Sequence, residues 1–202
     1  MRAVLLVLLS MLMLSPAVFA GDKKKKPKKS VNVVDSTIRW MTINEAEAAM
    51  KKQPKKIFVD VYTNWCGWCK VMDKKTFSNK DLARYMNEHF YAVKLDAEQK
   101  DTIHFMGKKF GFVPQQRSNQ FAVELLQGRM SYPTTVILDD KFQMVTPIPG
   151  YQNVATMEKI LKYIATDIYK TVQFPEYEKT FVGAWKEEAV AEDTPPIRRG
   201  MH

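Results

Sequence analysis

The sequence predicts an α/β protein with a mixed central sheet and helices on both of its faces. Strand-like apolar runs at residues 56–62 and 91–95 are separated by a helical pattern, and this order implies a parallel crossover. A later pair of strand-like runs, 132–138 and 142–148, is joined by a short turn and is therefore expected to be antiparallel. Apolar residues at helical spacing follow Gly150 and predict a long closing helix.

Residues 1–20 are interpreted as a secretory signal peptide rather than as part of the fold. Arg2 provides a basic start, an apolar stretch runs from Ala3 to Leu14, and small residues precede a cleavage site after Ala20. The apolar stretch is short for a membrane-spanning helix of about 20 residues, so export is favoured over an uncleaved anchor. We therefore expect an exported protein, with the periplasm favoured over the extracellular space.

Residues 21–35 form a Lys-rich segment that we interpret as a solvated linker. Six lysines and one proline lie between positions 23 and 29, and such a run cannot bury a core. The run supplies most of the formal net charge of +9, so the folded part is only mildly basic. It allows a weak contact with anionic surfaces. Nucleic acid is not expected as a partner, because the basic run contains no interleaved aromatic residues.

The elements before the cysteines lead into a buried strand. Asn44-Glu45-Ala46-Glu47 resembles a capping box for a helix that Pro54 stops. The run 56–62 is almost continuously apolar, as expected of a central strand covered on both faces. Asp60 interrupts that run, and a carboxylate there is costly unless it has a partner or a chemical role.

Cys66 and Cys69 are the only cysteines of the chain, and they lie where this strand gives way to a helical pattern. A helix N-terminus stabilises a thiolate through its unpaired N–H groups and the helix dipole. A disulfide between them would close almost no loop and add little stability. Thiol–disulfide exchange therefore explains the pair better than a structural crosslink, with Cys66 as the attacking thiolate and Cys69 as the resolving thiol.

Half of a zinc site is the alternative interpretation of this pair. The only histidines are His89, His104 and His202, so a zinc site would need an unusual ligand set. Attachment of a c-type haem is excluded as a motif, because Lys70 stands where that motif requires histidine. We expect neither a metal nor a separate cofactor.

The helix after the cysteines is followed by a second helix, for which Ser78 is the predicted cap, and then by the strand 91–95. Residues 97–120 are interpreted as an insertion with one short ordered segment. Ser118 is expected to cap a further helix that ends near Gly128.

The C-terminal part begins with Pro133 at the start of a strand and continues through the antiparallel return strand and the closing helix. Residues 171–202 are interpreted as an appendage and tail. Aromatic residues in this region predict packing on the body of the domain, and the last ten residues resemble a disordered terminus.

Four features, in order along the chain, resemble the thioredoxin family over roughly residues 36–170. The run from Val59 to Lys70 has the family's tryptophan directly before the first cysteine and an acidic residue six positions before it. Lys94 lies on the next strand, Tyr132-Pro133-Thr134 resembles the cis-proline loop, and Gly150 follows the last strand. The resemblance extends to exported bacterial thioredoxin-like proteins, including the C-terminal domain of the membrane thiol:disulfide interchange protein.

The resemblance implies a thioredoxin fold with an insertion before the cis-proline loop, and it assigns roles to named residues. Asp60 would accept the proton of Cys69 through water, and Lys94 would tune Asp60. Pro133 would be cis and would expose backbone groups for an extended substrate. The residues implied to contact substrate are Trp65, Gly67, Trp68, Tyr132, Pro133 and Thr134.

The sequence departs from the family's pattern in three places. These departures bear on the partner and on whether the substrate is reduced or oxidised, and they leave the class of reaction intact. The dipeptide between the cysteines is Gly67-Trp68 rather than Gly-Pro, the 97–120 region is longer than in a minimal thioredoxin, and Tyr132 replaces the usual aliphatic residue. Trp68 presents an apolar surface beside the thiols.

The expected function is thiol–disulfide exchange on other exported proteins, with reduction or isomerisation favoured over net oxidation. A reductant outside the cytoplasm needs an electron donor, and a membrane thiol carrier is the expected partner. The alternative is a non-catalytic binding module that docks a partner through Trp68 and the surface of the insertion. Retention of Cys66, Cys69, Asp60 and Lys94 favours the enzyme.

Overall fold

The computed structural model describes residues 36–186. The predicted signal peptide, the linker through residue 35 and the tail beyond residue 186 lie outside the described residues. The strands are β1 (Trp40–Met41), β2 (Lys56–Tyr62), β3 (Phe90–Asp96), β4 (Ile103–Phe105), β5 (Lys108–Phe110), β6 (Phe112–Val113), β7 (Ser118–Asn119), β8 (Thr134–Leu138) and β9 (Met144–Pro149). The helices are α1 (Ile43–Met50), α2 (Gly67–Lys75), α3 (Lys80–His89), α4 (Gln120–Leu125), α5 (Val154–Ala165) and α6 (Phe174–Thr180), with 3-10 turns at Pro114–Gln116 and Ile168–Lys170.

Five of these strands form one mixed sheet in the order β1-β3-β2-β8-β9. β2 runs parallel to β3 and antiparallel to β8, and β8 and β9 form an antiparallel hairpin. The parallel crossover through α2 and α3 and the later hairpin are the features that the sequence predicts. The mixed sheet implied by the resemblance is confirmed.

β2 is the central strand because its side chains are apolar on both faces. Ile57, Phe58, Val59 and Val61 are all fully buried. Alternate residues of β2 contribute to two separate cores, one on each side of the sheet. The first core contains α1 and α4, and the second contains α2, α3 and α5. Helices on both faces are therefore confirmed.

Three predicted helix starts are shifted by one or two residues. The capping box of α1 is formed by Thr42 and Glu45, not by Asn44 and Glu47. Asn79 caps α3, because its Oδ1 accepts from the backbone N–H groups of Asp81 and Leu82.

Asn119 rather than Ser118 caps α4. In each case two residues one or two positions apart have side chains that can cap a helix, so residue type alone does not select between them.

The 97–120 region is more ordered than the sequence predicts. It contains two antiparallel hairpins, β4–β5 and β6–β7, and the prediction of one short ordered segment is wrong. Its buried apolar residues are Ala97, Ile103, Phe105 and Phe110, and they belong to the first core. An isolated short hairpin is at best marginally stable in water. The two hairpins are ordered because their apolar residues pack into the first core.

A buried carboxylate in α5 ties the C-terminal segment to the body. Both oxygens of Glu158 accept from the backbone N–H of Ala184 at 3.0 Å, and Oε2 also accepts from Trp185 N at 2.9 Å. Lys162 Nζ donates to Oε1 at 2.6 Å. A side chain at Gly183 would come within 3.2 Å of Glu158 Oε2, so glycine allows the close approach.

Burial alone would raise the pKa of Glu158, but hydrogen bonds from Lys162 and from the backbone of Trp185 and Ala184 outweigh burial, so this pKa is lowered. The aromatic residues of the segment pack on the second core, as the sequence predicts, through Phe174, Tyr177 and Trp185. Among residues 36–186, no helix combines the length and the apolar character needed to cross a bilayer.

We expect Glu158→Gln to lower the free energy of unfolding by about 2 kcal/mol at pH 7, because an amide NH₂ would face backbone donors. The contribution of Glu158 exists above its unfolded pKa and is lost as pH falls through the lowered folded pKa, so the difference should shrink in acid. Urea denaturation at pH 7 and pH 3 measures both values. Glu178→Gln is the control, because Glu178 is an exposed partner of Lys159 and its loss should cost little.

Candidate active site

Cys66 and Cys69 form a disulfide at the start of α2, with their Cα atoms 5.3 Å apart. Cys66 is the N-cap of that helix, and its Sγ accepts from the backbone N–H of Cys69 at 3.1 Å. When the bond is reduced, a thiolate on Cys66 would face a helix N-terminus that favours negative charge. The geometry is therefore compatible with thiol–disulfide exchange at this pair.

Both cysteines are nearly buried, whereas their tryptophan neighbours are exposed. Cys66 and Cys69 are 5% and 3% exposed, while Trp65 and Trp68 are 60% and 50% exposed. The sequence predicts that Cys66 lies nearer the exposed start of the helix, but the exposed fractions of the two cysteines differ only slightly. The residues directly before each cysteine therefore expose apolar surface, whereas the cysteines themselves do not.

Each tryptophan packs against one tyrosine from another part of the chain. Trp65 meets Tyr132 edge-on at 5.8 Å between ring centroids, and Trp68 lies 5.5 Å from Tyr151. Tyr132 precedes Pro133, so the first pair brings the proline loop to the dithiol. Sequence reasoning missed Tyr151, although an aromatic residue directly after Gly150 was an available signal.

The end of β3 and the start of the 97–120 region form hydrogen bonds to the loop that precedes Cys66. Trp65 Nε1 donates to Glu98 Oε1 at 3.0 Å, and Asn64 Nδ2 donates to Asp96 Oδ2 at 2.8 Å. Sequence reasoning missed both acids. The carboxyl ends of the parallel strands β2 and β3 meet at one edge of the sheet, so residues that follow the two strands are expected to approach each other.

The proline loop has the predicted conformation. The Tyr132–Pro133 peptide bond is cis. Pro133 O accepts from Gly150 N at 2.8 Å, and the positive φ of Gly150, +87°, is one that side chains disfavour. Thr134 is buried, and its hydroxyl donates to Ser131 O at 2.8 Å.

The remaining predicted contact residue is Gly67, which is exposed at the first position of α2.

Buried Asp60 and half-buried Lys94 form an ion pair that contacts the dithiol helix through Asp73. They are register partners on β2 and β3, and Lys94 Nζ donates to Asp60 Oδ2 at 2.7 Å. Asp60 is only 1% exposed. Burial raises the pKa of Asp60 from 3.8 to about 6, because desolvation outweighs the attraction of Lys94. A carboxyl group in this range can gain and lose a proton near neutral pH.

Lys94 is held by a second carboxylate and by aromatic rings. Its ammonium group also contacts Asp73 of α2. Burial alone would lower the pKa of Lys94, but Asp60 and Asp73 outweigh burial, so this pKa is raised and the lysine stays charged. Ring centroids of Trp40, Tyr62 and Phe77 lie 5.0, 4.9 and 5.4 Å from Nζ.

Sequence reasoning missed Asp73, although it lies one helical turn after Cys69 on the same helix face.

No group of three or more His, Cys, Asp and Glu side chains in the described part of the chain is arranged to hold a metal ion. The chemistry that the arrangement supports is exchange at the Cys66–Cys69 disulfide, and the titratable carboxyl group of Asp60 is joined through Lys94 to the same helix.

Comparison with protein families agrees with this geometry. The model of a family described as Thioredox_DsbH, a protein of unknown function (DUF255), matches residues 26–173, which is more than half of the chain. Spermatogenesis-associated protein 20 of Mus musculus is 36% identical over 59 residues, and that of Homo sapiens is 34% identical over 59 residues. These alignments span 29% of this chain and only 8% of the curated relatives.

One solved structure shows the same fold. A thioredoxin-fold protein from Helicobacter pylori aligns with a TM-score of 0.50 and 18% identity, covering 75% of this chain and 91% of that one. A structure named DsbH oxidoreductase aligns with a TM-score of 0.48 and 18% identity, covering 71% of this chain and 94% of that one. The mixed sheet with helices on both faces is a thioredoxin fold.

The raised pKa of Asp60 predicts an unusual effect of pH on stability. The folded chain binds this proton more tightly than the unfolded chain, so the folded state is destabilised as pH rises from about 4 to above 6. We expect Asp60→Asn to increase the free energy of unfolding by roughly 1–3 kcal/mol at pH 8, with the gain shrinking towards pH 4. Denaturant titration of the oxidised protein across this range measures the difference.

The control for this prediction is Asp81→Asn, because Asp81 is an exposed partner of Arg84 on α3. That variant should show no comparable gain at pH 8. A destabilised Asp60→Asn variant at pH 8 would contradict the prediction.

Proposed function

The chain belongs to the Thioredox_DsbH (DUF255) family, and from its site we propose that it is an exported thiol–disulfide oxidoreductase that reduces or isomerises disulfides of other exported proteins. The observation that carries the proposal is the Cys66–Cys69 disulfide with Cys66 Sγ at the N-cap of α2. Export rests on the pattern of residues 1–20, and the thiol chemistry rests on the site.

The first step is attack by the Cys66 thiolate on one sulfur of a substrate disulfide. A bond forms between Cys66 Sγ and that sulfur, and the second substrate sulfur leaves as a thiolate. The substrate is then held on Cys66 as a mixed disulfide.

In the second step Cys69 loses its proton, and its sulfur attacks Cys66 Sγ. The Cys66–Cys69 disulfide forms, and the first substrate sulfur leaves as a thiolate. The substrate has gained two electrons and the dithiol has lost two. Asp60 takes the proton of Cys69 through water, and its pKa of about 6 keeps most of it ionised at neutral pH. A membrane thiol carrier would return the two electrons to the disulfide.

Substrate contacts are expected around the dithiol. The exposed rings of Trp65 and Trp68 offer apolar contact area on either side of it. The Tyr132–Pro133 loop and the start of the 97–120 region border the same surface through Trp65. Gly67 and Thr134 complete the proposed contact set.

A second candidate function is partner binding without exchange. It is favoured by the near burial of Cys66 beside two exposed tryptophans. In that case Trp68 and the surface of the 97–120 region, including exposed Met106, hold a partner and the disulfide stays closed.

We expect the wild-type protein to accelerate the reduction of insulin by dithiothreitol, and Cys66→Ser to reduce this rate to that of dithiothreitol alone. The reason is that Cys69, the only cysteine left in that variant, has no partner thiol that could resolve a mixed disulfide and re-form the Cys66–Cys69 bond. Turbidity of the released insulin chains measures the rate. A wild-type rate equal to that of Cys66→Ser would favour the binding module.

We expect Cys69→Ala to retain a partner on Cys66 when it is expressed in its own cell, because the resolving sulfur is missing. Mass spectrometry of the adduct should find an exported protein as the partner and Gly21 as the first residue of the trapped chain. A Cys66→Ala/Cys69→Ala variant is the control and should retain nothing. A trapped chain that still carries residues 1–20 would contradict cleavage of the predicted signal peptide.

A further inference from the structure

Three side chains form a row across the centre of the sheet. Asp60 of β2 is paired in register with Lys94 of β3 on one side and with Thr135 of β8 on the other. Residues directly opposite each other on neighbouring strands project from the same face, with Cβ atoms about 4.5–5.5 Å apart in an antiparallel pair. Asp60 is therefore flanked by an ammonium group and by a hydroxyl group.

Within this row a hydrogen bond joins Asp60 to Lys94, but none joins Asp60 to Thr135. Asp60 Oδ2 accepts from Lys94 Nζ at 2.7 Å. Asp60 Oδ1 and Thr135 Oγ1 are both buried, and neither makes a hydrogen bond to another protein atom. Leaving either group unsatisfied costs about 1–3 kcal/mol. The two groups are complementary, because a hydroxyl can donate and a carboxylate can only accept.

We propose that Thr135 is a positioning residue for Asp60, and that its hydroxyl and Asp60 Oδ1 together bind one internal water molecule. A buried water satisfies polar groups that the protein leaves unpaired, and it needs at least two such partners. The Thr135 hydroxyl donates to the water, and the water donates to Asp60 Oδ1. Each oxygen of the carboxylate then accepts a hydrogen bond.

The groups that act on the charge of Asp60 come from the elements around it. Lys94 of β3 and Asp73 of α2 act on it directly, and Tyr62 lies on its own strand. β8 consists of two threonines and three apolar residues, so it has no titratable side chain. The hydroxyl of Thr135 is thus the polar group that β8 offers to the carboxylate.

A hydrogen bond to the ionised form of an acid favours that form. Thr135 and its water therefore act in the same direction as Lys94, against the desolvation that raises the pKa of Asp60. The consequence for exchange rests on the proposed function: the water that Thr135 holds is the one through which Cys69 would pass its proton to Asp60.

The test is the titration of Asp60 in the full-length oxidised protein, followed by carbon NMR of its carboxyl group. We expect Thr135→Val, which keeps the shape and removes the hydroxyl, to raise the pKa of Asp60 by about one pH unit. Thr135→Ser keeps the hydroxyl and should titrate like wild type. Thr63→Val removes another buried hydroxyl without a protein partner, located beyond the end of β2, and should leave the titration unchanged.

A Thr135→Val protein that titrates like wild type would overturn the inference, and so would an equal shift in Thr63→Val. A crystal structure gives the second measurement. It should contain a water within hydrogen-bond distance of both Asp60 Oδ1 and Thr135 Oγ1, and its absence there would also overturn the inference. Both measurements are independent of turnover, so a protein that fails to reduce insulin would refute the proposed function and leave this inference standing.

Discussion

The structure depends on one buried carboxylate in a strand that is paired on both sides and covered on both faces. Asp60 is the only charged side chain in the fully buried stretch of β2, and removal from water makes its ionised form costly. Lys94 offsets part of that cost, and Asp73 shares the same ammonium group. The contacts of Lys94 with Asp60 and Asp73 therefore join β2, β3 and α2, although the buried charge itself lowers the stability of the folded state at high pH. Asp60 is also a proton acceptor with a pKa of about 6, joined through Lys94 to the helix that begins at the dithiol.

The dithiol is bordered by parts of the chain that are distant in sequence. Trp65 contacts both Tyr132 of the proline loop and Glu98 at the start of the 97–120 region, and Trp68 contacts Tyr151 after the last strand. The region between β3 and α4 is thus part of the border of the candidate site and also part of the first core. It supplies both packing and a contact to that site.

The C-terminal segment is held on the body of the domain by hydrogen bonds to a second buried carboxylate, that of Glu158. The family match ends at residue 173, and α6 begins at Phe174. Beyond that point the chain returns to the body, where the buried carboxylate of Glu158 accepts from the backbone of Ala184 and Trp185. Backbone N–H groups and Lys162 satisfy this carboxylate fully, so its ionised form is favoured despite burial. Asp60, by contrast, has one oxygen without a protein donor, and burial dominates its pKa.

The sequence by itself determined the features that local patterns encode. An apolar run predicted β2, the position of the cysteines predicted a dithiol at a helix start, and the motif around Pro133 implied the cis bond. Tertiary structure decided which residues share the site: Asp73 at Lys94, Glu98 at Trp65 and Thr135 opposite Asp60. It also placed the caps of α3 and α4 on asparagines and ordered the 97–120 region. These outcomes depend on strand register and on burial against distant residues, and no local pattern of side chains contains that information.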